Sequence, residues 1–456
     1  MFADLGLKQK TVGVVGFGDT GLAAAAFLAS RVGRLVVADS RDVLPHADEL
    51  RAVAPDADVR TGAFDAATFA GCDLLVVSPG VPVATPAIAA FTGEVVGDVE
   101  LFARAIRPLG KPVIAITGSN GKTTVTSLVG HLCHATGLRA VVAGNIGLPT
   151  LAALTGIERE GRLPDLFVLE LSSFQLETTR SLDAVAATAL NISEDHLNRY
   201  RDLLAYADSK AAVFNGTGVQ VLNADDVFVR AMARPDRRHV TFSLRDPSAD
   251  YALVERDGRH WLQAGGVPLL AADEMQLVGL HNAANALAAL ALAEAAGMPR
   301  AGLVAGLKTF RGLPHRVEHV LTHGGVDFID DSKGTNVGAT EAALNGMTRP
   351  VVLIAGGDGK GQDFAPLKPA IARIARAVVL IGRDAAQIRG ALDGMAQPVI
   401  DCATLEDATR EAFALAQAGD VVLLSPACAS FDMFRGYAHR SEVFIDAARA
   451  IAAGRS

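Results

Sequence analysis

The segment Thr117-Gly118-Ser119-Asn120-Gly121-Lys122-Thr123-Thr124 has the residue types and spacing of a phosphate cradle. Its glycines let backbone N–H groups turn inward on an anion, and a helix starting at its end adds positive potential. Lys122 is then expected to reach the terminal phosphates of a nucleotide, with a hydroxyl of Thr123 or Thr124 on Mg²⁺. The apolar run VIAI before the loop reads as a strand, and the residues after it read as a helix. Ile116 stands where the full G-x-x-x-x-G-K-[ST] pattern has its first glycine, so this is a shortened loop. Taken alone it says nucleotide without saying which chemistry. The bland alternative is a glycine turn with an exposed lysine; the strand–loop–helix context favours the nucleotide.

A second glycine pattern, Gly16-x-Gly18-x-x-Gly21, also follows a strand and opens a helix, and Asp39 ends the next apolar run. That is the layout of a dinucleotide site with an acid on a ribose. The same geometry holds any diphosphate-linked nucleotide, because it senses pyrophosphate and ribose. The phosphate loop fits hydride chemistry poorly, so a nucleotide-diphosphate substrate is favoured over a nicotinamide cofactor.

The elements that must position these loops follow from the pattern of the whole chain. Its 456 residues suggest about three domains at roughly 150 each. With 50% hydrophobic and 20% charged residues the profile is globular. Aromatics are only 5%, so the cores must be built from Ala, Val, Leu and Ile. Short apolar runs alternate with helical stretches throughout: RLVVADS, DLLVVSPGVP, LFVLELSS, AVAATALNIS, GVQVLNADD, PVVLIAGG, AVVLIGR and VVLLSPA. Such alternation predicts parallel α/β sheets. Pro108, Gly110 and Pro112 mark one boundary, and Gly312 and Pro314 in RGLPHR mark the next. The expected modules are a Rossmann-like domain over 1–107, a central phosphate-loop domain over 108–311 and a second Rossmann-like domain over 312–456.

A net charge of −8 supplies no global field for nucleic acid or anionic lipid, so a polyanionic ligand must be captured locally. Cys72, Cys133, Cys402 and Cys428 lie far apart with no C-x-x-C pair, which argues against a disulfide scaffold or a zinc ribbon and suits a reducing cytosol. No apolar run approaches a membrane span. Lys8, Lys10 and the stretch ending in AAAAFLAS mimic a signal peptide, but Asp19 and four glycines interrupt it. His131, Cys133 and His134 lack zinc spacing and read as packing residues on the helix after the loop. Cys428 reads as a small core residue. Asn191 and Asn215 begin glycosylation sequons by pattern only.

Several motifs then follow in series: TGSNGKTT, GNIG (144–147), ELSSFQLE (170–177), NISEDHLNRY (191–200), HNAANALAA (281–289), LPHR, DDSKGTN (330–336), GGDGKGQDF (356–364) and SPACASFDMF (425–434). Together they resemble the Mur ligase family over all three modules, and the last two point to its glutamate-adding member. The activity this resemblance implies is addition of D-glutamate to UDP-N-acetylmuramoyl-L-alanine, driven by ATP through an acyl phosphate, in peptidoglycan precursor synthesis. It implies a bacterial, cytoplasmic, monomeric enzyme with no nucleic-acid partner and no membrane insertion.

The resemblance also implies residue roles. Gly118 to Thr124, with Lys122 as the catalytic cation, would hold the ATP phosphates. Asn282 and Asn285 would hold adenine, and Arg316 and Asp331 would meet phosphates and ribose from the third module. Thr123, Glu170, His196 and Lys210 would hold two Mg²⁺ ions, the lysine as its carbamate. A neutral lysine that captures CO₂ becomes an anion, and burial favours the neutral form this requires. Asp19, Thr20, Asp39, Ser40, Gly80, Asn145 and His196 match the UDP-substrate positions. Lys333, Thr335, Lys360, Ser430, Phe431 and Tyr437 match the glutamate positions, with Tyr437 where the family commonly has Phe and Gly334 where Ala is common. The rival readings are another stem-peptide ligase or a folylpolyglutamate synthetase, an NAD-dependent oxidoreductase built on the first fingerprint, and a non-catalytic nucleotide-binding regulator.

Overall fold

A computed structural model describes residues 2–195, 199–277 and 279–454. Three sheets lie in series. The first holds Thr11–Val15 (β1), Arg34–Asp39 (β2), Asp58–Thr61 (β3), Leu74–Val77 (β4) and Glu94–Val96 (β5), all parallel, in the order β3-β2-β1-β4-β5. The second holds Val113–Thr117 (β6), Ala140–Gly144 (β7), Leu166–Glu170 (β8), Ala186–Ala189 (β9), Val219–Asn223 (β10), His239–Ser243 (β11), Tyr251–Arg256 (β12), Arg259–Ala264 (β13) and Val267–Ala271 (β14). Its order is β14-β13-β12-β11-β10-β9-β6-β8-β7. The third holds Glu318–His323 (β15), Val326–Asp330 (β16), Val351–Gly356 (β17), Ala375–Ile381 (β18), Val399–Asp401 (β19) and Val421–Leu424 (β20), in the order β15-β16-β20-β17-β18-β19.

The expected three-part α/β architecture is therefore present, with two antiparallel additions. The strands β12, β13 and β14 form an antiparallel meander, and β15 is antiparallel to β16. Each of these reversals is made by a two-residue turn with both residues at positive φ: Asp257-Gly258, Gly265-Gly266 and Gly324-Gly325. Such turns match the twist of the flanking strands, and Asp-Gly and Gly-Gly supply them at little cost. Those dipeptides were legible in the chain; the alternation of strand and helix does not reveal them.

The central strands are closed on both faces, as parallel strands covered by helices must be: every residue of β6 and β8 is buried. The helix Leu280–Ala295 buries Ala286, Leu287, Ala288, Ala289, Leu290, Ala291, Leu292 and Ala293 completely. Its alanines let it lie close against the phosphate-loop helix Lys122–Ala135, and its first turn brings Asn282 and Asn285 to the loop. His131 packs as expected, its Nε2 lying 3.1 Å from Gly306 O and 2.9 Å from Thr309 Oγ1. All four cysteines are free. Among the described residues no helix is long and apolar enough to cross a membrane.

The loops that matter leave the C-terminal ends of parallel strands: residues 16–18 after β1, Asp39 at the end of β2, Ser78–Val81 after β4, the phosphate loop after β6 and Glu170 at the end of β8. That edge is where open α/β sheets place ligands.

Candidate active site

The phosphate loop is braced before it meets any anion. Ser119 N donates to Asn191 O at 2.9 Å, and Asn120 N donates to Asn191 Oδ1 at 2.8 Å. Gly121 stands at φ +80°, and a Cβ there would lie 2.6 Å from Asn285 Oδ1, so only glycine admits the asparagine so close. Lys122 Nζ donates to Gly118 O and to Ser119 O, both at 2.9 Å. Burial holds its pKa below the ordinary lysine value. Lys210 sits behind the loop, 1% exposed, donating to Gly118 O at 3.0 Å and lying 4.6 Å from the Tyr206 ring centre. Desolvation, and then repulsion from Lys122, drive its pKa well below the ordinary value. The expectation of a lysine that sheds its proton thus has a physical basis, a buried ammonium beside a second one.

Glu170 ends β8 beside β6, where its carboxylate faces the loop. Its Oε1 accepts from Asn145 Nδ2 at 2.8 Å, while Oε2 is buried and has no hydrogen-bond partner among the described residues. A buried carboxylate oxygen left unshared is costly, and a divalent cation would satisfy it. The residues present therefore fit Mg²⁺: Glu170 in the strand, the hydroxyl of half-buried Thr123, and Lys210 behind them. His196 lies outside the described residues.

Between the first two sheets is a cleft of about 1280 Å³. It is lined by Asp19, Thr20, Asp39, Ser40, Gly80 and Asn145, all expected on the UDP side, and also by Gln175, Arg41 and Arg159. Asp39 does not stand as an open acceptor. It takes Phe17 N at 2.7 Å, and Arg41 Nε and Nη2 both at 2.7 Å, and Arg41 holds its pKa down to about 2. The acid thus presents Arg41 to the cleft. Gln175 is fixed by a helix-capping exchange, its Oε1 accepting from Ser172 N at 3.1 Å.

On the other side of the loop a cavity of about 290 Å³ is lined by Asn120, Gly121, Thr124, Asn282, Asn285, Arg316, Asp331 and Lys333, among others. Asn285 Nδ2 donates to Asn282 Oδ1 at 3.1 Å, so the pair is already oriented. Burial raises Asp331 to about 7, against a bond from Ser425 Oγ at 2.7 Å and the nearby Arg316 charge.

A third cavity, about 620 Å³, joins the two. Around it stand Ser119, Lys122, Thr123, Asn145, Glu170 and Asp195 from the middle sheet, and Arg316, Lys333, Thr335, Asn336, Lys360 and Tyr437 from the third module. The modules touch here. Asn336 Nδ2 donates to Asn120 Oδ1 at 3.0 Å, and Lys360 Nζ lies 3.3 Å from Asp195 Oδ1. Lys333 Nζ sits 4.0 Å from the Tyr437 ring centre, and burial and neighbouring cations bring its pKa down to about 8. Two expected glutamate-site residues stand apart from this cavity: Ser430 is buried, its carbonyl taken by Phe434 N at 2.7 Å, and the Phe431 side chain is 76% exposed. Gly118 also contributes no lining, because its carbonyl serves the two lysines. Sequence reasoning assigned no role to Asn191, Gln175, Asp195 or Asn336. The first three lie inside motifs already singled out, and Asn336 ends DDSKGTN, so position within a motif was the signal that could have found them.

Fold and site together define a three-module nucleotide-binding protein in which a phosphate loop faces a charged cavity shared with the last module. Family models match in the same order: Mur ligase MurD-like N-terminal domain over residues 10–97, Mur ligase middle domain over 116–293, and Mur ligase glutamate ligase domain over 315–428. A relative from Chromobacterium violaceum is 64% identical over 451 residues, covering 98% of this chain and 99% of its own length. One from Thiobacillus denitrificans is 54% identical over 471 residues, covering 99% and 98%. Both bear the name UDP-N-acetylmuramoylalanine--D-glutamate ligase. Among solved structures, MurF of Acinetobacter baumannii shares the fold at a TM-score of 0.63 and 16% identity, over 98% of this chain and 93% of that one. The UDP-N-acetylmuramate-alanine ligase MurC of Thermotoga maritima does so at 0.59 and 19%, over 97% and 100%. The chain belongs to the Mur ligase family.

Asp331 offers a pH test. Its folded pKa lies above the unfolded value, so the folded state holds an extra proton between about pH 4 and pH 7, and stability falls as pH rises through that window. Relative to wild type, Asp331→Asn should gain stability across this range, on the order of 2–4 kcal/mol, and level off above pH 7. Chemical denaturation of both proteins at pH 4 to 8 measures it; parallel curves would contradict the assignment.

Proposed function

We propose that this protein is an ATP-dependent acid–amino-acid ligase that adds D-glutamate to UDP-N-acetylmuramoyl-L-alanine, a step of peptidoglycan precursor synthesis. One observation carries the chemistry: the cavity beside Lys122 and the unshared oxygen of Glu170 is walled by Lys333, Thr335 and Lys360 of the last module and adjoins Asn145 of the UDP-side cleft. The amino acid and its handedness rest on the names of relatives 49–64% identical over nearly the whole chain.

In this reading the alanyl carboxylate attacks the γ-phosphorus of ATP, the bond to ADP breaks, and an acyl phosphate forms. The glutamate amine attacks its carbonyl carbon, and phosphate leaves from the tetrahedral adduct. The chain's task is positioning and charge stabilisation. Lys122 and Arg316 flank the developing phosphate charge. Asn282 and Asn285 orient the adenine, and Asp331 the ribose. Asp19, Thr20, Ser40, Gly80 and Asn145 hold the UDP-sugar. Asp39 acts through Arg41. Lys333, Thr335 and Lys360 receive the two carboxylates of glutamate beside Tyr437, with Ser430 and Phe431 of the same module standing outside that cavity. Contact between the last module and the loop excludes water, which an acyl phosphate requires. Mg²⁺ at two sites, held by Thr123, Glu170, His196 and Lys210 as its carbamate, would supply neutralisation of the triphosphate. The modules would divide near residues 107 and 311. We place the enzyme in the bacterial cytoplasm and take it to act as a monomer.

Phosphate release from ATP with UDP-N-acetylmuramoyl-L-alanine should depend on D-glutamate and not occur with L-glutamate, L-lysine or no amino acid. Release with L-glutamate alone would overturn the stereochemical assignment, and NADH oxidation without ATP use would favour a dehydrogenase. Lys122→Ala should lower turnover at least about 100-fold while leaving the melting transition close to wild type; unchanged turnover would remove it from the machinery. Lys210→Ala should be nearly inactive and regain turnover with added short carboxylic acids; full activity without them would exclude the carbamate.

A further inference from the structure

A group of side chains outside every assigned subsite ties the first module to the middle one at the sugar-nucleotide end. The guanidinium of Arg199 meets the Glu177 carboxylate in a fork, Nη2 to Oε2 at 2.6 Å and Nε to Oε1 at 3.2 Å. Both side chains are largely buried, at 12% and 15% exposure. The third arm crosses to the other module: Arg199 Nη1 donates to Pro79 O at 2.9 Å. The Arg199 carbon Cζ lies 4.2 Å from the Phe174 ring centre, and Tyr200 OH donates to Glu177 Oε1 at 2.7 Å.

Pro79 belongs to the loop Ser78–Val81 that lines the UDP-side cleft. That loop has little freedom of its own. Ser78 Oγ donates to Gly16 O at 2.6 Å, and a Cβ on Gly16 would meet Val81 at 2.5 Å. Holding Pro79 therefore holds the first fingerprint as well. On the other side the contacts run toward the phosphate loop. The Tyr200 ring lies 5.3 Å from that of Tyr206, whose hydroxyl is 3.4 Å from Ser119 Oγ.

We infer that Arg199 is a positioning residue: its grip on Pro79 sets the register between the UDP-sugar cleft and the phosphate loop. This rests on the function proposed above, in which the two reacting groups are anchored on different modules. A misplacement of about 1 Å between them can cost on the order of 100-fold in rate. Stability is the weaker explanation for the device, since a buried ion pair contributes little net stabilisation compared with apolar residues of the same volume. A forked, planar guanidinium does provide orientation.

The test is steady-state kinetics on wild type, Arg199→Ala, Arg199→Lys, Glu177→Gln and the Arg199→Ala/Glu177→Gln double variant, with a melting curve for each. For Arg199→Ala the kcat/KM for UDP-N-acetylmuramoyl-L-alanine should fall about 10- to 100-fold, while the KM for ATP stays within about twofold. Arg199→Lys, which cannot span both partners, should show a smaller loss with the same split, and it serves if the alanine variant does not fold. The double variant should be no worse than Arg199→Ala, because both changes break one unit. Wild-type kinetics in Arg199→Ala, or a loss that raises the KM for ATP as well and tracks a lowered melting temperature in both Arg199 variants, would overturn the inference. A wild-type protein that does not turn over these substrates would instead overturn the functional reading.

Discussion

A carboxylate and a triphosphate repel each other, and a site that joins them must hold positive charge where there is little water to screen it. The arrangement around residues 117–124 answers that constraint. Two lysine side chains converge on one backbone carbonyl, that of Gly118. One points along the loop and the other is sealed behind it. Opposite them Glu170 keeps a carboxylate oxygen without a partner among the described residues. The site thus gathers two lysine side chains on one side and a carboxylate oxygen without a described partner on the other. In the function proposed above, metal and phosphate together would satisfy both.

That local arrangement depends on parts contributed by all three sheets. The middle sheet supplies the loop, and its alanine-rich helix brings Asn282 and Asn285 within reach because small side chains allow close approach. The first sheet supplies a cleft whose acid, Asp39, is already satisfied by Arg41 and a backbone amide, so it shapes the cleft by what it holds. The third supplies Asn336 and Lys360, which touch Asn120 and Asp195. In the function proposed above each reactant is anchored on its own sheet, so that the reaction would turn on how the sheets are registered, and contacts such as Arg199 with Pro79 bear on that register.

Much of this was legible in the order of residues. Loops at strand ends are local features: the spacing of glycines in TGSNGKTT, and an acid after four apolar residues at Glu170, are set within a few positions by backbone geometry. The alternation of apolar runs and helices likewise announced three α/β modules. The antiparallel meander was missed although Asp257-Gly258 and Gly265-Gly266 signal it, because reading by alternation alone assigns every strand to a parallel sheet.

What the chain's order could not settle was which of its polar groups are already spoken for. Asp39 reads as a ribose acceptor until Arg41 folds back onto it. Ser430 and Phe431 sit in a telling motif, yet the fold leaves them off the central cavity, while Asn191, Gln175 and Asn336 reach the loop, cleft and cavity without having been given a role there. Short-range spacing decides what a loop or strand end can do. Partners tens or hundreds of residues away, brought together only by packing, decide whether a given side chain is free to do it.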